Sequence, residues 1–265
     1  MARMSPRRLG RSWTWLAGVL VIAAAFAVVR PHITPGEGPG FGRGDEAPCV
    51  REDPGCPDGG TPVVAPSGPT EAPEEPVLRA AEVCPDAGYL CAALAAEGAI
   101  HIRRWRNGTG TLVVRVPRPT SEDATRAREL QRAAVRGIRA WNGRPFPIRI
   151  DTRGRVQAQI EVRWVPSLGG RQIGRARTAW RPGSGLVVLS LDLVTRSPFN
   201  PRAVVSPEQL RLTAAHEMGH ALGLPHSDSK RDVMYPTNTA TSLTARDYRT
   251  MEALYALPDG AVIHR

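Results

Sequence analysis

The apolar positions divide the chain into three unlike stretches. From Trp13 to Val29 no charged residue interrupts the run. From about Pro31 to Glu82 there is no apolar period, only abundant Pro, Gly and Glu, which is the composition of a disordered linker. From Ala99 onward, periods of two alternate with periods of three to four, so a folded domain is expected over 99–265. Leu112–Val116 predicts a short strand. Ala127, Leu130, Ala134, Ile138 and Trp141 recur at helical steps and predict a helix with one apolar face. Ser121-Glu122-Asp123 supplies a cap and acids for its first turn, and Asn142-Gly143 its stop. Phe146–Ile150 predicts a second strand. Ala158, Ile160, Val162 and Trp164 then alternate with Gln159, Glu161 and Arg163, as in a half-buried strand. Gly174–Trp180 predicts an edge strand whose arginines tolerate solvent, and the nearly continuous apolar Leu186–Leu193 a more central one.

Two further helices follow. Ser206-Pro207-Glu208-Gln209 combines a capping serine, proline at the first helical position and a glutamine that completes a capping box. That helix runs to about Leu222, where Gly223 stops it. The last begins at Thr244, with Asp247 three residues on, and turns Tyr248, Met251 and Tyr255 inward before Pro258. The order β-α-β-β-β-β-α-α predicts an α+β domain.

Composition narrows the class. A chain of 265 residues with 42% hydrophobic and 23% charged residues is neither wholly disordered, nor a polytopic membrane protein, nor collagen-like. The net charge of +10 suggests nucleic acid at first sight. Lys230, however, is the only lysine, and so uniform a use of arginine beside Ala, Gly and Pro reads as composition bias. No nucleic-acid partner is expected. Arg43-Gly44-Asp45 is an adhesion-like tripeptide that chance explains in so Gly- and Arg-rich a stretch, and Asn107-Gly108-Thr109 is an incidental glycosylation sequon.

Arg3, Arg7, Arg8 and Arg11 precede the 13–29 run, so residues 1–30 read as a secretory signal, with Ala25-Phe26-Ala27 as a cleavage site. The run also reaches the lower limit for a membrane-spanning helix, which leaves an uncleaved signal anchor open. Both readings put the rest of the chain outside the cytoplasm, secreted or anchored to the cell envelope. The cysteines agree: Cys49, Cys56, Cys84 and Cys91 form two pairs of equal spacing, as disulfides in an oxidising compartment would. Local pairing within residues 31–98 is expected, although four cysteines allow three connectivities.

The candidate chemistry lies in the helix begun by Ser206. His216-Glu217-Met218-Gly219-His220 puts two imidazoles four residues apart on one helical face, where they can share a metal ion, with Glu217 beside them. Gly223 can turn the chain so that His226 returns as a third ligand, leaving the fourth position of a zinc site open. With six histidines in 265 residues, this eleven-residue pattern arises by chance on the order of 10⁻⁵ times per chain.

The run His216–Ser227, HEMGHALGLPHS, resembles the zinc signature of the metzincins, and most closely the matrixins. Met234, eight residues after His226 in Asp232-Val233-Met234-Tyr235-Pro236, is similar to that family's Met-turn. The resemblance implies a twisted, five-stranded, mostly parallel sheet with three helices, and a cleft beneath an edge strand. It implies one catalytic zinc on His216, His220 and His226, Glu217 as general base, and Met234 as a packed floor that does not bind metal. Tyr235 and Pro236 would help shape the substrate pocket, and the substrate would be a protein or peptide. A monomer is expected.

The chain departs from the family's animal members. The remaining histidines, His32, His101 and His264, lie outside the segment of the second, structural zinc, so none is expected there. Calcium is left open. The proline-x-tyrosine pocket wall becomes Pro236-Thr237-Asn238, and the cysteine-containing latency motif is missing, with Val83-Cys84-Pro85-Asp86 only a faint echo. This minimal form is similar to bacterial matrixin-type proteases. A non-catalytic surface or adhesion module on the same fold is the competing reading, against which stands the intact set of base and ligands.

Overall fold

The computed structural model describes residues 75–265 except Asn238. The signal or anchor segment 1–30, most of the linker and the Cys49/Cys56 pair lie outside the described residues. Regular structure starts at Val77, ahead of the Ala99 expected from the periodicity. Strand β1 (Val77–Arg79), helix α1 (Ala80–Val83), a 3-10 turn over Cys84–Asp86, helix α2 (Leu94–Glu97) and strand β2 (Ala99–His101) follow one another closely. Cys84 and Cys91 form a disulfide across this stretch, with a Cα–Cα distance of 5.7 Å. These elements are too short to show an apolar period. They are fixed instead by Tyr89 and Leu90, both buried, and by pairing with the chain's C-terminal strand.

The main sheet contains β3 (Leu112–Arg115), β4 (Ile148–Asp151), β5 (Ile160–Val165), β6 (Gly174–Arg181) and β7 (Gly185–Val194), in the order β4-β3-β5-β7-β6. The first four strands of that order are parallel to one another, and β6 alone runs antiparallel, at the edge, beside β7. This is the five-stranded, mostly parallel sheet that the resemblance implied. The alternation read from the sequence holds along β5, where Ile160 and Val162 are buried and Glu161 and Arg163 exposed. Along β6 and β7 the register slips between Arg177 and Thr178, a bulge that leaves Leu189 on the surface. A hairpin of β8 (Arg196–Ser197) and β9 (Asn200–Val204) joins the sheet to the next helix, and β10 (Val262–His264) lies between β1 and β2 in a separate three-stranded sheet. Neither was legible as strand in the sequence.

Three longer helices complete the fold: α3 (Ala124–Arg139), α4 (Pro207–Ala221) and α5 (Ala245–Ala256). The cap of α3 is Asp123 rather than Ser121. Its Oδ1 accepts from the amides of Thr125 and Arg126, and no acidic residue occupies the first turn. Asp123 succeeds because a carboxylate has lone pairs for both orphan amides. The expected apolar stripe faces inward: Ala127, Leu130, Ala134 and Ile138 are buried, and Trp141 just beyond the helix is fully so.

Helix α4 is unlike α3. Eleven of its residues, from Leu210 to Ala221, are buried, so it has no polar face and lies within the core between α3 and the sheet. Ser206 caps it by accepting from the Gln209 amide at 3.1 Å, and Pro207 occupies its first turn. The helices α3 and α4 cross in near backbone contact at Gly137, where a Cβ would overlap Arg211 O and lie 2.9 Å from Ala214 Cβ. Glycine here is a condition of the crossing, not a weakness in α3.

Candidate metal centre

The C-terminal end of α4 determines where the three histidines fall. Gly223 adopts φ +98, the left-handed region, and a Cβ there would overlap Arg103 O. Its amide donates to His220 O at 2.9 Å, and the Leu224 amide donates to Gly219 O at 3.0 Å, which reverses the chain directly after the helix. Side chains satisfy two further carbonyls of the last turn. Trp105 Nε1–H donates to Ala221 O at 2.8 Å, and the Tyr255 hydroxyl to Leu222 O at 2.9 Å. A helix end buried this deeply is stable because such carbonyls are accounted for. Neither Trp105 nor Tyr255 was legible in this role.

The turn carries His226 back to the two histidines of α4. His220 Nε2 lies 3.1 Å from His216 Nε2 and 3.2 Å from His226 Nε2, and one nitrogen from each ring falls within 4.8 Å of the others. His216 Nδ1 lies 2.7 Å from Val233 O, and His220 Nδ1 lies 2.9 Å from Leu224 O. A carbonyl only accepts, so each of these Nδ1 atoms carries the ring hydrogen and each Nε2 presents a bare lone pair. Burial lowers the pKa of His216 to about 4, and His226 adds to the shift. Burial likewise lowers His220 well below the usual histidine value, and His226 below it. The rings are therefore neutral near pH 7.

Lone pairs facing one another at this distance repel unless a cation lies between them. Zinc bonds of about 2.0–2.1 Å in a tetrahedral arrangement separate nitrogens by roughly 3.3 Å, close to the spacing found. The donor set thus fits a zinc ion, and the carbonyls on the far side of His216 and His220 fix those rings as outer-shell partners do.

Glu217 sits on the sheet side of α4 and is 1% exposed. Its Oε2 accepts from the Ala176 amide of edge strand β6 at 2.7 Å, while its Oε1 has no hydrogen-bond partner among the described residues. Burial raises its pKa to about 8, against the lowering effect of the Ala176 amide and the Arg175 charge. The strand approaches this closely because residue 174 is glycine. A Cβ there would overlap Thr213 and lie 2.7 Å from Glu217 Cγ.

Met234 lies beneath α4, fully buried, with its sulfur where a Cβ of Gly219 would sit. Its carbonyl accepts from the Ser227 amide at 2.9 Å, tying the turn to the residue after His226. Tyr235 and Pro236 follow, both half-buried. Around the turn is a polar network that sequence reasoning missed. Asp232, 2% exposed, accepts from Ser227 Oγ, from Thr244 Oγ1 at 2.8 Å and from Arg246 at 2.8 Å. Asp247, fully buried, accepts from the Val233 amide at 3.2 Å, the Thr244 amide at 2.8 Å and the Tyr89 hydroxyl at 2.9 Å. The capping box of α5 was legible, but its second use, holding the Met234 turn, was not.

Comparison with known proteins agrees with this geometry. A family model described as Matrixin matches residues 122–256, just over half of the chain. The macrophage metalloelastase of Rattus norvegicus is 44% identical over 55 residues, covering 18% of this chain and 12% of that protein. The macrophage metalloelastase of Oryctolagus cuniculus is 45% identical over 56 residues, 19% of this chain and 12% of its own length. The chain therefore spans only about an eighth of the curated relatives it matches. The family match is far longer, and it contains the three histidines, Glu217 and Met234: the chain belongs to the matrixins.

Proposed function

We propose that this chain is a zinc-dependent endopeptidase that cleaves protein or peptide substrates outside the cytoplasm, secreted or held at the cell envelope through residues 13–29. The observation that carries the reading is the convergence of three imidazole nitrogens within 4.8 Å of one another, two of the rings held by backbone carbonyls. His216, His220 and His226 would hold the ion. Zinc bound there supplies Lewis-acid chemistry, making a peptide carbonyl more electrophilic and the attacking water more acidic.

The remaining work falls to the protein. Glu217 is tethered at Oε2, and Oε1 has no hydrogen-bond partner among the described residues, so Oε1 is the oxygen open to a proton. It takes that proton from the attacking water and returns it to the departing amine, the usual exchange of a general base that becomes a general acid. The free edge of β6 receives an extended peptide as an added strand, gaining main-chain hydrogen bonds without demanding a sequence. Tyr235 and Pro236 line the pocket beyond, and Met234 supports the ligands from below. Extracellular operation is supported by the Cys84–Cys91 disulfide, which an oxidising compartment preserves.

The test is hydrolysis of an unfolded protein substrate by the purified chain. Dialysis against a chelator should abolish cleavage and added zinc restore it. Glu217→Gln should retain zinc at one ion per chain and lose roughly 10³-fold in kcat. Cleavage that is indifferent to chelation, or equal in the Glu217→Gln variant, would remove the reading.

A further inference from the structure

We propose that residues 77–98, ahead of the segment matched by the family model, brace the metal centre, and that Tyr89 is the positioning residue through which they act. The proposal rests on the metal-centre reading above and adds to it a part of the chain that supplies no ligand.

Two lines of contact run from Tyr89 to the ligands. The first passes through Asp247. The Tyr89 hydroxyl donates to Asp247 Oδ1 at 2.9 Å, and Asp247 Oδ2 accepts from the Val233 amide at 3.2 Å. The carbonyl of the same Val233 accepts from His216 Nδ1 at 2.7 Å. The residue whose carbonyl orients the first histidine is thus held, through its own amide, by a carboxylate whose other oxygen is held by Tyr89. The second line passes through Arg246, whose guanidinium lies 5.4 Å from the centre of the Tyr89 ring. Arg246 pairs with Asp228 at 2.6 Å and Asp232 at 2.8 Å, and bonds Ser227 Oγ at 3.2 Å. Ser227 and Asp228 directly follow His226. One aromatic residue therefore touches both side chains that fix the backbone around two of the three ligands. His220, bonded to Leu224 O inside the helix-ending turn, needs no such support.

Tyr89 is itself closely held. It is 1% exposed, and its amide donates to Thr250 Oγ1 at 3.0 Å on α5. The preceding Gly88 packs so tightly on α5 that a Cβ would overlap Thr250, and its carbonyl accepts from Arg246. The Cys84–Cys91 disulfide closes the loop that presents it. Burial, with Asp247 alongside, raises the phenol well above its ordinary pKa, so it remains a donor throughout the working range. A carboxylate buried against the Met234 turn needs donors on both oxygens, and Tyr89 is the only side-chain donor to Oδ1 among the described residues. Removing the hydroxyl leaves Oδ1 unsatisfied and frees Asp247 to rotate away from Val233.

The experiment measures zinc affinity of the full chain by competition with a chromophoric chelator, together with the visible absorption bands of the Co²⁺-substituted protein. Wild type is measured first: a chain that takes up no metal defeats the proposed function and the brace together. Given binding, Tyr89→Phe is expected to weaken zinc affinity roughly tenfold, the size of effect seen when an outer-shell partner is lost. It should also shift the Co²⁺ bands and lower kcat with KM unchanged. Gln131→Leu is the control. It removes another buried hydrogen bond, from Gln131 Nε2 to Val116 O at 2.7 Å, and should lower thermal stability while leaving zinc affinity and the Co²⁺ bands alone. Cys84→Ser with Cys91→Ser keeps the phenol but loosens its loop, and should weaken zinc binding by less. Wild-type zinc affinity in Tyr89→Phe, or an equal loss in Gln131→Leu, overturns the proposal. Should Tyr89→Phe fail to fold, wild-type affinity in the paired serine variant overturns it.

Discussion

The two sides of the metal centre are built by different physics. On one side α4 runs through the core, buried nearly all round, and its histidines gain their positions from helical spacing and apolar packing. On the other side the Met234 turn contains no helix or strand, and Asp232, Asp247, Thr244, Arg246 and Tyr89 hold it by hydrogen bonds and ion pairs. Apolar packing tolerates small errors in any one contact because many weak contacts share the load. A buried polar network does not, since each unpaired group costs its full desolvation. The helix side should therefore fail by loss of the whole fold, and the turn side by loss of ligand geometry within a fold that survives.

The contrast can be broken most decisively at the helix crossing. Gly137→Ala forces a methyl into Arg211 O and Ala214, so α3 and α4 must separate. A loss of about 3 kcal/mol, at the upper end of the cost of overpacking, is expected in chemical denaturation. A mild change there would mean the crossing is more plastic than the helix side requires.

The second prediction concerns pH and the metal-free chain. His216 and His220 are neutral when folded and titrate near the usual value of about 6.5 when unfolded. Below that value the unfolded state binds more protons, so stability falls as pH drops from about 6.5 toward 4. Glu217 has the opposite sign: its folded pKa of about 8 exceeds its unfolded one, so the stability of its protonated form is lost as pH rises. Stability of the metal-free chain should peak near pH 6.5 and fall by about 2 kcal/mol by pH 8. Glu217→Gln should remove the alkaline limb and steepen the acid one, where this carboxyl partly offsets the histidines, as denaturation midpoints across pH will show. An alkaline limb that persists in the variant would contradict the burial cost assigned to this carboxyl.

The smallest predicted effect compares two helix caps. Thr244→Ala should cost about 1 kcal/mol as a lost cap and should also weaken zinc retention, because Thr244 bonds both Asp232 and Asp247. Asp123→Ala should lower the thermal midpoint slightly and leave zinc untouched, since its carboxylate serves only the start of α3. Equal zinc retention in the two variants would blur the distinction between helix side and turn side.

This division also explains what could be read from the sequence. Apolar periodicity located α3 and β5, because each presents a regular face to one core, while a continuous apolar run located β7 and solvent-tolerant arginines the edge position of β6. The histidine cluster was legible because its three rings come from one helix and its closing turn. Elements of two or three residues have no period to detect, which hid β1, β8 and β10 and placed the start of order some twenty residues late. The turn's supports escaped for a different reason. Tyr89 and Asp247 are 158 residues apart, and a bond between single polar side chains leaves no pattern in either neighbourhood. Asp247 could be read as a capping residue, and that local role concealed its long-range one.

The contact between Gly219 and Met234 constrains how this site can vary. The helix residue and the sulfur share a single volume, which one can fill only if the other vacates it. Neither position can gain bulk independently, so enlargement at 219 calls for a compensating reduction at 234. Drift here should proceed by coordinated exchange rather than by single steps. A library randomised at both positions together should yield functional pairs whose combined size is nearly constant.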